Sequence, residues 1–373
     1  MNKKEKQNTR KPDWHPENAG QEYAVKIVKG ADFLVGNSQL SVGKNKKSYS
    51  VDDYIQGVLN NDRTLLAKTI TLIESNSHSH HQLSQEVLNK LLPHTGKSLR
   101  VGITGVPGAG KSTFIESLGM FLIEQGLKVA VLAVDPSSTV TRGSILGDKT
   151  RMEKLSREAN CFIRPSPSSG TLGGVTRKSR ETILVCEAAG FDVILIETVG
   201  VGQSEVTVRS MVDFFLLMMI AGAGDELQGI KKGVIELADA LLVNKADGDN
   251  EKKANMAKAE YSNALHYLQP ATKGWTTQAY TCSSYTGKGI TEIWNVIKEF
   301  EMKTKKSGEF EERRKEQSLQ WIFSMIEESL KNDFYTNEKV KKELPKIKED
   351  ILKNNLVPTS AAEKILQIFK SAK

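Results

Sequence analysis

The sequence predicts an α/β chain: a mainly parallel, doubly wound sheet, with an N-terminal helical extension before it and a C-terminal helical arm after it. Three observations predict this. Short apolar runs alternate with helical patterns from Leu99 to Ser283, the order that builds a parallel sheet. Several of the runs, such as Val193-Ile-Leu-Ile196 and Phe214 to Ile220, are apolar throughout, as strands are when helices cover both faces. Finally, the stretch Gly105-Val106-Pro107-Gly108-Ala109-Gly110-Lys111-Ser112-Thr113 spells G-x-x-x-x-G-K-S-T between an apolar run and a helical pattern, the strand–loop–helix setting of a phosphate-binding P-loop.

Taken in order, residues 1–49 are polar and broken by Pro12 and Pro16, and read as a mobile lead-in. Ser50 can cap a helix carrying Tyr54, Ile55, Val58 and Leu59, and Asp62 to Glu74 continues with Leu65, Leu66, Ile70, Leu72 and Ile73 at helical spacing. A third helix is expected over about Gln82–Leu92, after a polar link with His78, His80 and His81. That link lacks a companion set of carboxylates or cysteines, so it reads as an exposed loop rather than a metal site. The P-loop core is expected over 98–305, with strands at Leu99–Thr104, Lys128–Asp135, Cys161–Arg164, Phe191–Val199, Asp213–Ala221, Ala240–Lys245 and Gln278–Ser283. Residues 50–97 form the extension and 306–373 the arm. Helices at about Gly289–Phe300, Glu309–Lys331, Glu338–Lys353 and Thr359–Phe369 are expected to stand outside the sheet. Leu319, Ile322, Phe323, Ile326 and Leu330 give one of them an apolar face, with Trp321 nearby.

Chemistry concentrates at the carboxyl ends of the predicted strands, where open α/β sheets bind ligands. Gly105, Gly108 and Gly110 let the loop turn its N–H groups inward around phosphate oxygens, and the following helix adds its positive end. Lys111 can reach the β- and γ-phosphates. Ser112 can give its hydroxyl to Mg²⁺, with Thr113 beside it for further phosphate contact. Asp135, ending a strand before Pro136, is a further metal candidate. Glu197, Gly200 and Gln203 follow another strand. There Glu197 can hold a metal-bound water, the Gly200 N–H can meet the γ-phosphate, and Gln203 is a candidate for orienting water.

Asn244-Lys245-Ala246-Asp247 bears on the base. A carboxylate only accepts hydrogen bonds, so Asp247 suits the N1–H and N2–H₂ donors of guanine and opposes the N1 acceptor of adenine. Lys245 can lie along the ring plane while Asn244 braces the loop, and a backbone N–H of Cys282-Ser283-Ser284 is the candidate for the guanine O6. GTP is therefore the expected ligand.

Composition narrows the alternatives. The chain has 373 residues, 39% hydrophobic and 26% charged, with a formal net charge of +7. Much of the positive excess lies near the N-terminus and in the C-terminal hundred residues, interleaved there with Glu and without an aromatic RNA-binding signature, which argues against nucleic acid. The run Phe214 to Ala223 is too short to cross a bilayer. No membrane segment or secretory signal is expected, and the cytoplasm is the expected location. Cys161, Cys186 and Cys282 lack C-x-x-C spacing and read as small core residues of a reducing compartment.

Together GVPGAGKST, DPSS, ETVGVGQSE, GAGDELQGIKKG and NKAD, in that order over roughly residues 50 to 335, resemble the methylmalonyl-CoA mutase-associated GTPases, also labelled MeaB/ArgK. The resemblance implies a dimeric P-loop NTPase fold, in the class of the signal-recognition-particle and nickel-insertion GTPases. It also implies a chaperone role toward an adenosylcobalamin-dependent acyl-CoA mutase, the cofactor being carried by that partner. A cobalamin adenosyltransferase is a possible further member of the complex. Residue by residue, Lys111, Ser112, Asp135 and Glu197 match the family's phosphate and magnesium positions, and Asp148 and Arg151 its first switch. Asp225, Glu226 and Lys231 are the charged members of the third switch, over Gly222–Lys232, and the C-terminal helices match a homodimer arm.

With no assured arginine finger in cis, slow intrinsic hydrolysis stimulated by a partner is expected. The alternative is a nickel-insertion metallochaperone, which the absence of a Cys/His ligand set near the switches disfavours. An amino-acid-transport ATPase is opposed by Asp247, and a binding module without turnover remains for a hydrolysis assay to remove.

Overall fold

The computed structural model describes residues 49–75, 77–134, 152–165, 172–198, 204–222 and 232–371. Its centre is a sheet of β1 (Leu99–Gly105), β2 (Val129–Val134), β3 (Cys161–Arg164), β4 (Val193–Thr198), β5 (Phe214–Ile220), β6 (Ala240–Asn244) and β7 (Gln278–Thr281). Every pairing is parallel, in the order β3-β2-β4-β1-β5-β6-β7. From β1 the chain places β2 and then β3 on one side and returns to insert β4 between β2 and β1, then builds the other side through β5, β6 and β7. The reversal flanks β1, and a crevice at the carboxyl ends of the strands is expected there.

Alternate residues of β2 and β4 feed two cores, as a pleat of period two requires, whereas Ala240–Val243 of β6 all enter one of them. Val101, Ile103, Val131, Leu195, Leu216 and Met218 enter one layer. It is covered by α4 (Lys111–Glu124), α9 (Glu251–His266) and α10 (Ile290–Ser307), with the short α5 (Glu153–Arg157) and α8 (Lys232–Ile235) packed beside them. Leu132, Ile194, Ile196 and Phe215 enter the other. There the cover comes from α1 (Val51–Leu59), α2 (Arg63–Glu74), α3 (His78–Leu91), α6 (Leu172–Ala188) and α7 (Ser204–Arg209). Gly102 faces this second layer, and a Cβ there would come within 3.0 Å of both Val208 and Val212. Lacking one, β1 lets α7 and the turn after it lie directly on the sheet.

Ser50 caps α1 as expected, in a capping box with Asp53, and Asp62 caps α2. Two expectations are corrected. The third helix starts at His78, not near Gln82, so His80 and His81 are helical rather than part of an exposed link. They bond Ser75 and Arg177, and among the described residues no cluster suited to a metal ion is found. Likewise α10, expected outside the sheet, is part of its cover: Phe300 stacks edge-on against Phe214 and Trp275, with centroids 5.0 and 5.2 Å apart.

Beyond it, α11 (Glu309–Thr336) is buried only at its root, at Phe310 and Gln317. Its stripe of Leu319, Ile322, Phe323, Ile326 and Leu330 lies exposed. Next, α12 (Glu338–Leu352) and α13 (Pro358–Lys370) fold back with Phe334 around a small core of Val340, Ile347, Ala361 and Ile365. Among the described residues no helix is long and apolar enough to cross a membrane.

Candidate nucleotide site

The P-loop leaves β1 at the middle of the sheet. Gly105 has φ +151°, and a Cβ on it would lie 2.1 Å from the Met218 carbonyl oxygen of β5. Only glycine lets the loop pass so close to the neighbouring strand. Gly110, at φ +84°, turns the chain into α4, and a Cβ there would meet Asn244 Nδ2 at 2.9 Å. The loop closes on itself through Ala109 N–H to Val106 O, 3.1 Å, and α4 opens with Phe114 N–H to Gly110 O, 2.9 Å. At the start of α4 the unpaired N–H groups and the helix dipole point toward the loop, an arrangement suited to an anion.

Lys111 folds over the loop, its Nζ donating to the carbonyls of Gly105 (3.0 Å) and Val106 (3.4 Å). Burial lowers its pKa below the ordinary 10.5, opposed by the charges of Glu197 and Glu205. Ser112 Oγ donates to Glu197 Oε1 at 3.0 Å, which joins the loop to the end of β4. Glu197 is only 5% exposed. Beneath it the buried hydroxyls of Thr104 and Thr198 are 2.8 Å apart, tying β1 to β4. A hydroxyl and a buried carboxylate in contact are an all-oxygen donor pair of the kind a hard cation such as Mg²⁺ takes, so the residues present fit that ion.

On the other side of the loop, Asn244 closes β6. Its Nδ2 donates to Ala109 O at 2.7 Å, and its Oδ1 accepts from Ser284 N–H (3.1 Å) and Ser284 Oγ (2.8 Å). One buried amide thus fixes the P-loop to the segment after β7. Lys245 follows with φ +60° and is exposed, its carbonyl held by Asn250 Nδ2 at 2.7 Å. Asp247 accepts a hydrogen bond from the Ser283 hydroxyl, which orients its carboxylate.

The sequence offered a backbone N–H of Cys282, Ser283 or Ser284 to a guanine oxygen. Here all three are donated within the protein, to Val243 O, Lys288 O and Asn244 Oδ1. The segment's part in this structure is instead to position Asp247 and Asn244.

Asp135, Asp148, Arg151, Gly200, Gln203, Asp225, Glu226 and Lys231 lie outside the described residues.

The opposite edge of the sheet carries a network that sequence reading missed. Asp192, Asp213 and Asp239 stand immediately before β4, β5 and β6. They accept from the N–H groups of Lys128 (2.8 Å), Arg100 (2.8 Å) and Phe215 (2.9 Å), each on a neighbouring strand or just before it. Arg314 of α11 grips both oxygens of Asp213 at 2.7 Å and donates to Gly96 O and Ser98 O. Arg209 and Arg313 face Asp239 at 3.0 and 3.6 Å. Burial lowers the pKa of Arg209 while Asp239 raises it, whereas Arg314, though desolvated, is raised by its bonds to Asp213. An Asp before a strand was the available signal, but its partners are remote in sequence.

The family described as "Methylmalonyl Co-A mutase-associated GTPase MeaB" matches residues 66–339. GTPase ArgK of Escherichia coli is 51% identical over 74% of this chain and 84% of its own. The mitochondrial methylmalonic aciduria type A homolog of Mus musculus is 45% identical over 88% and 81%. The crystal structure of an LAO/AO transport system kinase, 39% identical, aligns with TM-score 0.71 over 86% of this chain and 97% of that one. By sequence and by fold, the chain belongs to the methylmalonyl Co-A mutase-associated GTPase (MeaB) family and is a GTPase with a P-loop NTPase fold.

Proposed function

We infer that the chain binds and hydrolyses GTP slowly and uses the GTP/GDP difference to serve an adenosylcobalamin-dependent acyl-CoA mutase, with methylmalonyl-CoA mutase the first candidate. The service is gating of cofactor loading and protection or reactivation of the mutase. One observation carries the guanine reading: Asp247, held by Ser283, and Asn244, bonded to the P-loop, join the acceptor for the base edge to the cradle for the phosphates. The family's description and the name of its mouse relative support the mutase.

In this reading the N–H groups of Gly108 and of residues 110–113 cradle the α- and β-phosphates, and Lys111 swings from its carbonyl partners to the β–γ oxygens. Ser112 and Glu197, with Asp135, hold Mg²⁺, which supplies charge neutralisation when bound. Water attacks the γ-phosphorus, the bond to the β–γ bridging oxygen breaks, and Lys111 stabilises the negative charge that gathers there. Gly200 and Gln203 contact the γ-phosphate and the water. Asp148 and Arg151 act as the first switch, and Asp225, Glu226 and Lys231 relay nucleotide state to the mutase.

A second copy covers the exposed stripe of α11, making a homodimer, and a cobalamin adenosyltransferase is a further candidate partner. The remaining proposals are domain limits of 50–97, 98–305 and 306–373 after a lead-in of 1–49, and a cytoplasmic location.

The test is GTP hydrolysis by the purified protein, alone and with the same organism's adenosylcobalamin-dependent mutase, against an ATP control. Stimulation by the mutase with GTP only is expected. Unchanged turnover would remove this partner, and preference for ATP would overturn the role of Asp247. Lys231→Ala should leave GTP affinity nearly intact while weakening the mutase's effect on turnover; equal loss of both would remove its relay role.

A further inference from the structure

We propose that Gln317 and Arg180 are positioning residues for GTP hydrolysis: through α7 they keep the carboxylate of Glu205 acting on Lys111, so the root of α11 bears on the phosphate site. The inference rests on Lys111 meeting the phosphates, and it adds three residues that the reading above does not use.

The helix α7 follows β4 and leads through a turn into β5. It therefore runs from the phosphate edge of the sheet back toward the amino-terminal edge. Val208 lies against β1 where Gly102 leaves room for it. Glu205 comes three residues earlier, about 4.5 Å along the helix axis, and so sits nearer the end of β1 that enters the P-loop. It is 7% exposed, and its negative charge acts on the Lys111 ammonium together with that of Glu197.

The other end of α7 is clamped. Gln317 Nε2 donates to Val212 O at 2.8 Å, in the turn after the helix, and reaches Arg209 O at 3.5 Å. Arg180 of α6 donates from Nη1 to Gln317 O at 2.9 Å and from Nη2 to Ser210 O and Oγ at 2.8 and 2.7 Å. The Ser210 hydroxyl passes on to Thr207 O at 2.7 Å, inside α7. A close-packed helix of six residues has no slack in which to absorb a shift. Movement at its clamped end is delivered to Glu205.

The chemistry of the clamp also favours this role over packing alone. Burial pushes Arg180 down to about 10, and among the described residues its hydrogen-bond partners are uncharged. A desolvated cation without a matching acid lowers stability. Its value lies in the geometry it fixes, one planar group joining α6, α11 and the end of α7.

The experiment is steady-state GTP hydrolysis by the full chain and by Gln317→Ala, Ser210→Ala and Glu205→Gln, with double variants that combine Glu205→Gln with each of the other two. Gln320→Ala, at an exposed position of α11, is the control. Each single variant except the control should lose roughly tenfold in kcat, less than the roughly hundredfold that a 1 Å misplacement costs. KM should stay near parental, because the N–H groups of the P-loop are untouched. In the Glu205→Gln background, Gln317→Ala and Ser210→Ala should each add less than about twofold, as residues acting in series do.

The same loss from Gln317→Ala in both backgrounds would overturn the proposal, by showing a structural effect that does not pass through Glu205. Parental kcat in Gln317→Ala and Ser210→Ala, or a loss confined to KM, would overturn it too. If Gln317→Ala does not fold, Ser210→Ala, which removes a single hydroxyl, decides on the same terms. A comparable loss in Gln320→Ala would assign the effect to any change in α11 and remove the case for the clamp. Parental kcat in Lys111→Met would instead overturn the phosphate role of Lys111, and the clamp with it.

Discussion

At the amino-terminal edge of the sheet, Asp213 accepts one backbone N–H and two guanidinium bonds, all within 2.8 Å. At the carboxyl-terminal edge, the half-buried ammonium of Lys111 rests on two backbone carbonyls of its own loop, and its pKa is lowered rather than supported. Both groups are desolvated, yet Asp213 is gripped directly by a cation, whereas the charges of Glu197 and Glu205 offset only part of the burial of Lys111. A charge that builds the fold is matched within the fold. A charge that serves a ligand is left only partly matched, and the folded protein carries the cost until a phosphate arrives.

Substitutions at the two edges should therefore have opposite signatures. The largest loss of stability is expected from Arg314→Met, which leaves Asp213 buried without its cation; about 3–5 kcal/mol should disappear from the denaturant-unfolding free energy. A loss under about 1 kcal/mol would break the comparison, because it would class this pair with exposed salt bridges.

Lys111→Met should do the reverse. Hydrolysis should fall by roughly 10²–10³-fold, as on loss of a charge-stabilising donor, while unfolding stability stays level or rises. The pH dependence sharpens this. The folded pKa of Lys111 lies below its unfolded 10.5, so the empty fold disfavours the ammonium and gains stability as pH rises through the folded value toward 10.5. Bound phosphate favours the ammonium. GDP affinity should then decline through that same alkaline window, and titration calorimetry in two buffers should show proton uptake on binding there. In Lys111→Met this Lys111-dependent part of the profile should vanish.

A smaller effect is expected from Ser283→Ala, which removes the hydrogen bond to Asp247 but leaves the carboxylate. GTP affinity should weaken roughly tenfold, with the preference over ATP reduced in competition binding. An unchanged preference would show that Asp247 needs no orienting partner.

How much of this was legible depends on range along the chain. The P-loop, Glu197 and Asn244–Asp247 could be read directly because each motif is local and sits at a strand end, where the alternating pattern placed it. The start of α3 was misread because His and Ser are indifferent helix formers, and what holds that helix is the burial of Val87, Leu88 and Leu91 against the second layer. The network at the amino-terminal edge could not be read at all. Arg314 and Asp213 are separated by 101 residues, and Arg314 and Ser98 by 216. No pattern within one segment announces that they meet. The exposed stripe of α11 was legible as a pattern, whereas the burial of its root was not.

The reach of Arg314 back to Gly96 and Ser98 also sets a timetable for folding. The residue that secures the start of the first strand is made more than two hundred positions after it, so during synthesis the sheet can pair its strands while Asp213 still awaits its cation. Contacts of such long range come late because the intervening chain must first be closed into a loop. A nascent or truncated chain ending before α11 would carry a finished sheet with an unmatched acid at its base. By that argument the helix whose far half stands exposed completes the base of the sheet from its root.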